Sequence, residues 1–101
     1  MKRIEIIIPD GRLHDVNNIL KEANVGGISY HRIEGRGKAK IPQFISRFKV
    51  EVVVRDEQVE GLITKIVDKV GGNLTMGGKI FVVDVPIAVD LATKKRGDAA
   101  I

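Results

Sequence analysis

An α+β sandwich is the fold class this sequence predicts, and three observations predict it. Two stretches, Leu13–Ala23 and Val59–Val70, carry apolar residues at helical spacing. Four other stretches are β-branched or alternate apolar with polar, and they flank those helices in the order strand–helix–strand, twice. The 101 residues show no second compositional block, so they make one domain. That order is βαββαβ, the ferredoxin-like sandwich, with a four-stranded antiparallel sheet and both helices on one face.

The elements follow in chain order. Lys2–Pro9 is rich in isoleucine and reads as a buried strand, ended by the turn residues Pro9, Asp10 and Gly11. The first helix places Leu13, Val16, Ile19, Leu20 and Ala23 on one face, and Val25-Gly26-Gly27 is expected to stop it. Ile28–Glu34 alternates and reads as a strand. Gly35–Pro42 is a basic, glycine-rich loop. Phe44–Val54 reads as a strand with Phe48, Val50, Val52 and Val54 on one face. Asp56 is the expected N-cap of the second helix, whose apolar stripe is Val59, Leu62, Ile63, Ile66, Val67 and Val70. Gly71-Gly72 stops it, Lys79–Val85 is the fourth strand, and a short edge strand is expected at Val89–Thr93. The sheet face away from the helices is expected to be rich in valine and isoleucine and to need a partner subunit as cover.

Composition narrows the function. The apolar fraction is 44% and the charged fraction 30%, an ordinary globular balance. With no cysteine there is no disulfide framework and no thiol chemistry, which fits a cytoplasmic protein. The start, MKRIEIIIPDG, is too short and too interrupted for a signal peptide, and no apolar run is long enough for membrane insertion. A net charge of +4 permits an acidic partner: a nucleotide, a nucleic acid or an anionic protein surface.

Two loops combine glycine with lysine. GGNLTMGGK, Gly71–Lys79, lies between a helix and a strand and lacks the spacing and the following Ser or Thr of a Walker loop. It is either a helix stop with a flexible turn or half of an anion site. GRGKAK, Gly35–Lys40, is the second such loop. Lys38, Lys40 and Lys79 converge if the topology brings these loops together, in one chain or across a subunit boundary, with glycine freeing backbone N–H groups for the anion.

The residues MKRIEIII, GISYHRIEGRGK (Gly27–Lys38), FKVEVVV (Phe48–Val54), GGKIFVVDV (Gly77–Val85) and GDAAI (Gly97–Ile101) together resemble the nitrogen regulatory PII signalling proteins over nearly the whole chain. The resemblance implies a homotrimer that binds adenine nucleotides (AMP, ADP or ATP) between subunits, responds to 2-oxoglutarate with Mg-ATP, and regulates a transporter, enzyme or transcription factor through a long loop. No cofactor is obligatory. It further implies that Ile7, Ser29, Glu51, Val52 and Val53 frame the base and ribose. Gly35, Gly37 and Lys38 match one phosphate-side loop, and Gly77, Gly78 and Lys79 match the other.

The sequence departs from that family at telling places. Its loop between the second and third strands is shorter, and the only tyrosine, Tyr30, lies in a strand rather than at a modifiable loop tip. Met76-Gly77-Gly78-Lys79 stands where the family has Gly-Asp-Gly-Lys. Counted without gaps to Ile101, the two phosphate-holding arginines fall on Asp90 and Ala92, and the glutamine that touches Mg²⁺ and 2-oxoglutarate falls on Ala39. A hydrogen bond to a charged group contributes about 1.5–3 kcal/mol, so losing two weakens a triphosphate by roughly 10²- to 10⁴-fold. AMP or ADP is therefore expected to bind at least as well as ATP, without 2-oxoglutarate synergy. Lys94, Lys95 and Arg96 form either a compensating anion contact or a solvated basic tail.

Other chemistries find little support. His14 and His31 stand apart with no metal-ligand pattern, and neither Ser29 nor Ser46 has a base beside it, so no enzyme is expected and no metal site. The alternative is a nucleic-acid-binding ferredoxin-like module, which requires stacking aromatics on the central strands; Phe81, Phe44 and Phe48 are the candidates. A copper-tolerance-type trimer shares the fold but finds no cysteine or histidine cluster here.

Overall fold

The computed structural model describes residues 1–36, 45–72 and 78–101. Strand β1 (Lys2–Pro9) passes through a 3₁₀ turn into helix α1 (Leu13–Glu22), and β2 (Ser29–Gly35) follows. Strand β3 (Ile45–Val54) leads by a second 3₁₀ turn into α2 (Val59–Val70), and β4 (Lys79–Asp84) ends the sheet. The sheet order is β2-β3-β1-β4 with every pair antiparallel, the ferredoxin-like arrangement that the element order predicts.

Alternation on the central strands builds the core. Ile4, Ile6 and Ile8 of β1 and Val50, Val52 and Val54 of β3 point to one face, where Val16 and Leu20 of α1 and Val59, Leu62, Ile66 and Val70 of α2 cover them. Each buried aliphatic side chain contributes about 1.5–3 kcal/mol relative to exposure. Among the described residues no polar or charged residue is buried in this core. Val67, expected in the α2 stripe, is 52% exposed because it sits where the stripe overhangs the β4 edge.

Four local expectations change. Helix α1 ends before its glycines: Ala23 is its C-cap and Asn24 takes the left-handed conformation (φ 60°), with the Val25 N–H donating to the Leu20 carbonyl at 3.0 Å. Asparagine tolerates this region better than other side chains, and Gly27 (φ 68°) shapes the linker instead. Asp56 does not cap α2; the Arg55 N–H donates to Gln58 Oε1 at 3.0 Å, and Asp56 accepts from the α-amino group of Met1. The expected strand at Val89–Thr93 is a tight turn, with one bridge between Val89 and Arg96.

The fourth change concerns the face away from the helices. Its middle is charged rather than aliphatic. Arg3 Nη2 lies 2.8 Å from Glu5 Oε1, Lys49 Nζ lies 3.8 Å from Glu5 Oε2, and Lys49 Nζ lies 3.4 Å from Glu51 Oε1. Ile7, Val53, Phe81 and Val83 flank this strip, placed there by the two-residue repeat and the cross-strand register. Phe44 lies outside the described residues.

Candidate functional site

Cross-strand register assembles the expected site residues into two groups. In the first, Ile7 on β1 pairs directly with Lys79 on β4, with Gly78 immediately before it. These three border an apolar cleft of about 290 Å³ whose walls include Ile63, Val67 and Val70 of α2. Gly71 belongs to the same rim: a Cβ there would stand 2.5 Å from the Val67 carbonyl oxygen, so only glycine lets the chain leave α2 this closely. Gly72, at φ 91°, then turns the chain in the left-handed region.

In the second group, Ser29 on β2 pairs with Glu51 on β3, and Gly35 closes the other end of β2 opposite Ile45. Glu51 is held by Lys49, while Val53 lies on the charged face. The side chain of Val52 is buried in the core, so only its backbone is available to a ligand. Gly37, Lys38, Lys40, Gly77, Met76 and Ala39 lie outside the described residues.

The groups lie on opposite edges of one sheet. Gly35 and Lys79 share an end of it, but three strand spacings separate β2 from β4, about 14 Å. Within one chain the described parts of the two glycine–lysine loops therefore flank the sheet instead of facing each other. The sequence shows both loops but not this distance, because only the strand order sets it.

The end of the chain adds a feature that spacing alone did not reveal. Asp90 Oδ1 accepts from the Ala92 N–H at 3.1 Å and Oδ2 from the Thr93 hydroxyl at 2.9 Å, so the carboxylate closes its own turn. The local signal is an aspartate with threonine three residues on, which favours such self-bonding. A second unpredicted cluster lies at the β2 edge: Tyr30 meets Phe48 edge-on at 5.5 Å, and the Arg32 guanidinium lies 4.6 Å from the Phe48 ring centre while also pairing with Asp10.

Two chemistries can be weighed on this geometry. An RNA-recognition sheet stacks bases on aromatics of its open face. Here Phe81 is on the edge strand and Phe48 is on the helix side with Tyr30, so the described part of the central strands offers no such platform. Among the described residues, no three His, Asp or Glu side chains form a group that could hold a metal ion; His14 pairs with Asn18 at 3.2 Å. No helix among them is long and apolar enough to cross a membrane.

Comparison with known proteins decides the family. The family model described as "Nitrogen regulatory protein P-II" matches residues 1–95. The chain belongs to the P-II family. It is 33% identical to the nitrogen regulatory protein P-II of Cereibacter sphaeroides and 31% identical to that of Pasteurella multocida, in each case over the whole of both chains. It is 30% identical to P-II 1 of Escherichia coli, again over both whole chains. That alignment spans 112 positions, so it holds at least eleven more than this chain's 101 residues. P-II proteins are regulators in signal transduction, and membership gives this chain a regulatory role in the P-II manner.

Proposed function

We propose that this P-II family chain is a homotrimeric, single-domain cytoplasmic regulator that senses an adenine nucleotide and passes the signal to a partner protein, a transporter or an enzyme. The observation that carries this reading is the split of the site. Ile7, Gly78 and Lys79 gather at the β4 edge, whereas Ser29, Gly35, Glu51 and Val53 lie on the β2–β3 side. A nucleotide spanning both groups binds between copies, with the β4 edge of one subunit beside the β2 edge of the next. Such a head-to-tail contact closes into a ring. Gly37, Lys38 and Gly77 complete the phosphate loops in this reading, and the backbone at Val52 contributes to the base side.

Effector preference follows from the charges. Lys79 is the cation on the β4 side, and the phosphate-holding arginines are replaced by Asp90 and Ala92. AMP or ADP binds at least as tightly as ATP, and 2-oxoglutarate adds no synergy because Ala39 replaces the glutamine. The shorter loop between β2 and β3 leaves no modifiable tyrosine.

Calorimetric titration with AMP, ADP and ATP, each with and without Mg²⁺ and 2-oxoglutarate, tests the reading, alongside mass measurement of the particle. A trimer that binds AMP or ADP at micromolar concentration, with ATP no tighter, is the expected result. Tight Mg-ATP binding with 2-oxoglutarate synergy would overturn the effector ranking, and a trimer indifferent to all three nucleotides would overturn the sensor.

A further inference from the structure

An aliphatic cleft and an aliphatic arm both stand open on this chain, and within one copy they do not meet. The cleft of about 290 Å³ lies between α2 and β4, with Ile63, Val70 and Ile80 among its walls and the exposed Val67 and Val82 at its lips. Ile80 and Val82 pair with the core residues Ile6 and Ile4, so this is the helix side of the sheet. Among the described residues that border the cleft only Lys79 is charged, and Lys79 pairs with Ile7 on the opposite face. The cleft therefore suits an aliphatic group rather than an anion.

The arm is the first half of the hairpin that follows β4. Ile87, Val89 and Leu91 are alternate residues of it, and all three are exposed, Leu91 at 91%. The hairpin is closed by its own hydrogen bonds. The Gly97 N–H donates to the Ala88 carbonyl at 3.0 Å and the Asp90 N–H to the Lys95 carbonyl at 2.9 Å. The Asp90 carboxylate accepts from Ala92 and Thr93 at the tip. A leucine carried on a fixed turn loses little freedom on docking, and exposed aliphatic groups gathered in this way mark an interaction surface.

Topology decides whose cleft the arm reaches. The hairpin leaves β4 after Asp84, the end opposite the Gly78 and Lys79 that border the cleft. Beyond the hairpin the chain crosses this end of the sheet, and Ile101 borders a small cavity with Asn24, Val25 and Gly26, the link that enters β2. The hairpin is thus held between the end of β4 and the β2 side. In the ring proposed above, the β2 edge of one copy lies beside the β4 edge of the next, and the β4 edge is where the cleft opens.

We propose that Leu91 of one copy seats in the α2–β4 cleft of the next, so that each cleft is completed by the tail of a neighbouring chain. This rests on the ring of copies but on no nucleotide. The contact is head-to-tail, knob on one side and hole on the other, and it closes when every copy both gives and receives.

Leu91→Asp separates a seated leucine from a free one. A tip that stays in solvent tolerates aspartate, as surface positions do; in an aliphatic cleft the charge is buried without a partner. Particle mass over a dilution series is expected to show L91D dissociating at a concentration at least about tenfold above wild type, with L91M close to wild type. An L91D particle that dissociates together with wild type overturns the proposal. The chain has no cysteine, so a cross-link can locate the contact. V67C and L91C chains are co-expressed and treated with a short bis-maleimide, and a covalent pair of one V67C and one L91C chain is expected. A wild-type trimer whose variants give no such mixed pair overturns this contact alone. A wild type that is monomeric at every concentration overturns the ring and this contact together.

Discussion

The α-amino group of Met1 donates to Asp56 Oδ1 at 2.8 Å, tying the start of β1 to the turn that opens α2. That hydrogen bond, then the charge of the amino group and that of Lys2, hold the Asp56 carboxyl below its ordinary range. The folded state therefore binds fewer protons here than the unfolded one, and the contact stabilises above the ordinary aspartate pKa. The benefit fades as pH falls through the lowered folded value. Urea midpoints of wild type and D56A are expected to differ at about pH 6 and to converge near about pH 2; a difference independent of pH would contradict the assignment.

Gly71 and Gly61 are expected to respond oppositely to alanine. A Cβ at Gly71 would lie 2.5 Å from the Val67 carbonyl oxygen, whereas nothing stands within 4 Å of one at Gly61, in the exposed part of α2. G71A should cost about 1–3 kcal/mol through the forced shift. G61A should stabilise by about 0.5–1 kcal/mol by removing helix-interior glycine. Urea denaturation of both variants measures the pair.

Ile6 is fully buried in the strand that touches both β3 and β4. I6A should lose about 2–5 kcal/mol, the cost of removed apolar contact plus the cavity left behind. A loss under about 1 kcal/mol by chemical denaturation would mean that the site collapses around the smaller side chain.

Glu5 has two cations to satisfy, Arg3 and Lys49, and its side chain is only 14% exposed. E5Q takes the carboxylate from Arg3 and leaves Lys49 with Glu51 alone at the middle of the sheet face. A loss of about 1–2 kcal/mol is expected, smaller at high salt because the remaining repulsion is then screened. Unfolding in low and high salt distinguishes this from a packing defect, which salt would not relieve.

Lys79 is exposed at the start of β4 and has no ion-pair partner among the described residues. K79A should leave thermal stability within about 0.5 kcal/mol of wild type. It should weaken AMP or ADP about 10- to 100-fold, the worth of one hydrogen bond to a charged group. Affinity unchanged in calorimetry would remove Lys79 from the phosphate side.

Much of this fold was legible because its signals are local. The alternation in β1, the valines of β3 and the apolar stripe of α2 each name their own buried face. The stop of α1 was less so: two glycines advertise a terminus, but Asn24 arrives first, and hydrogen-bond register selects it. The charged strip escaped because Arg3, Glu5, Lys49 and Glu51 are alternate residues on strands more than forty positions apart, and only register brings them together. For the same reason the loops Gly35–Lys40 and Gly71–Lys79 could be named as an anion-site pair, while their separation across the sheet needed the strand order.

That strand order also governs when this protein can fold during synthesis. β1 is made first yet lies inside the sheet, and its two neighbours are β3 and β4; Lys2 faces both Val54 and Asp84. The nascent β1 has no sheet partner until about half of the message is translated, and its four isoleucines wait exposed at the ribosome. Closing such distant pairs slows folding, and a waiting apolar strand is open to aggregation. The last strand to emerge completes the cover of the first, so the chain locks shut from its far end.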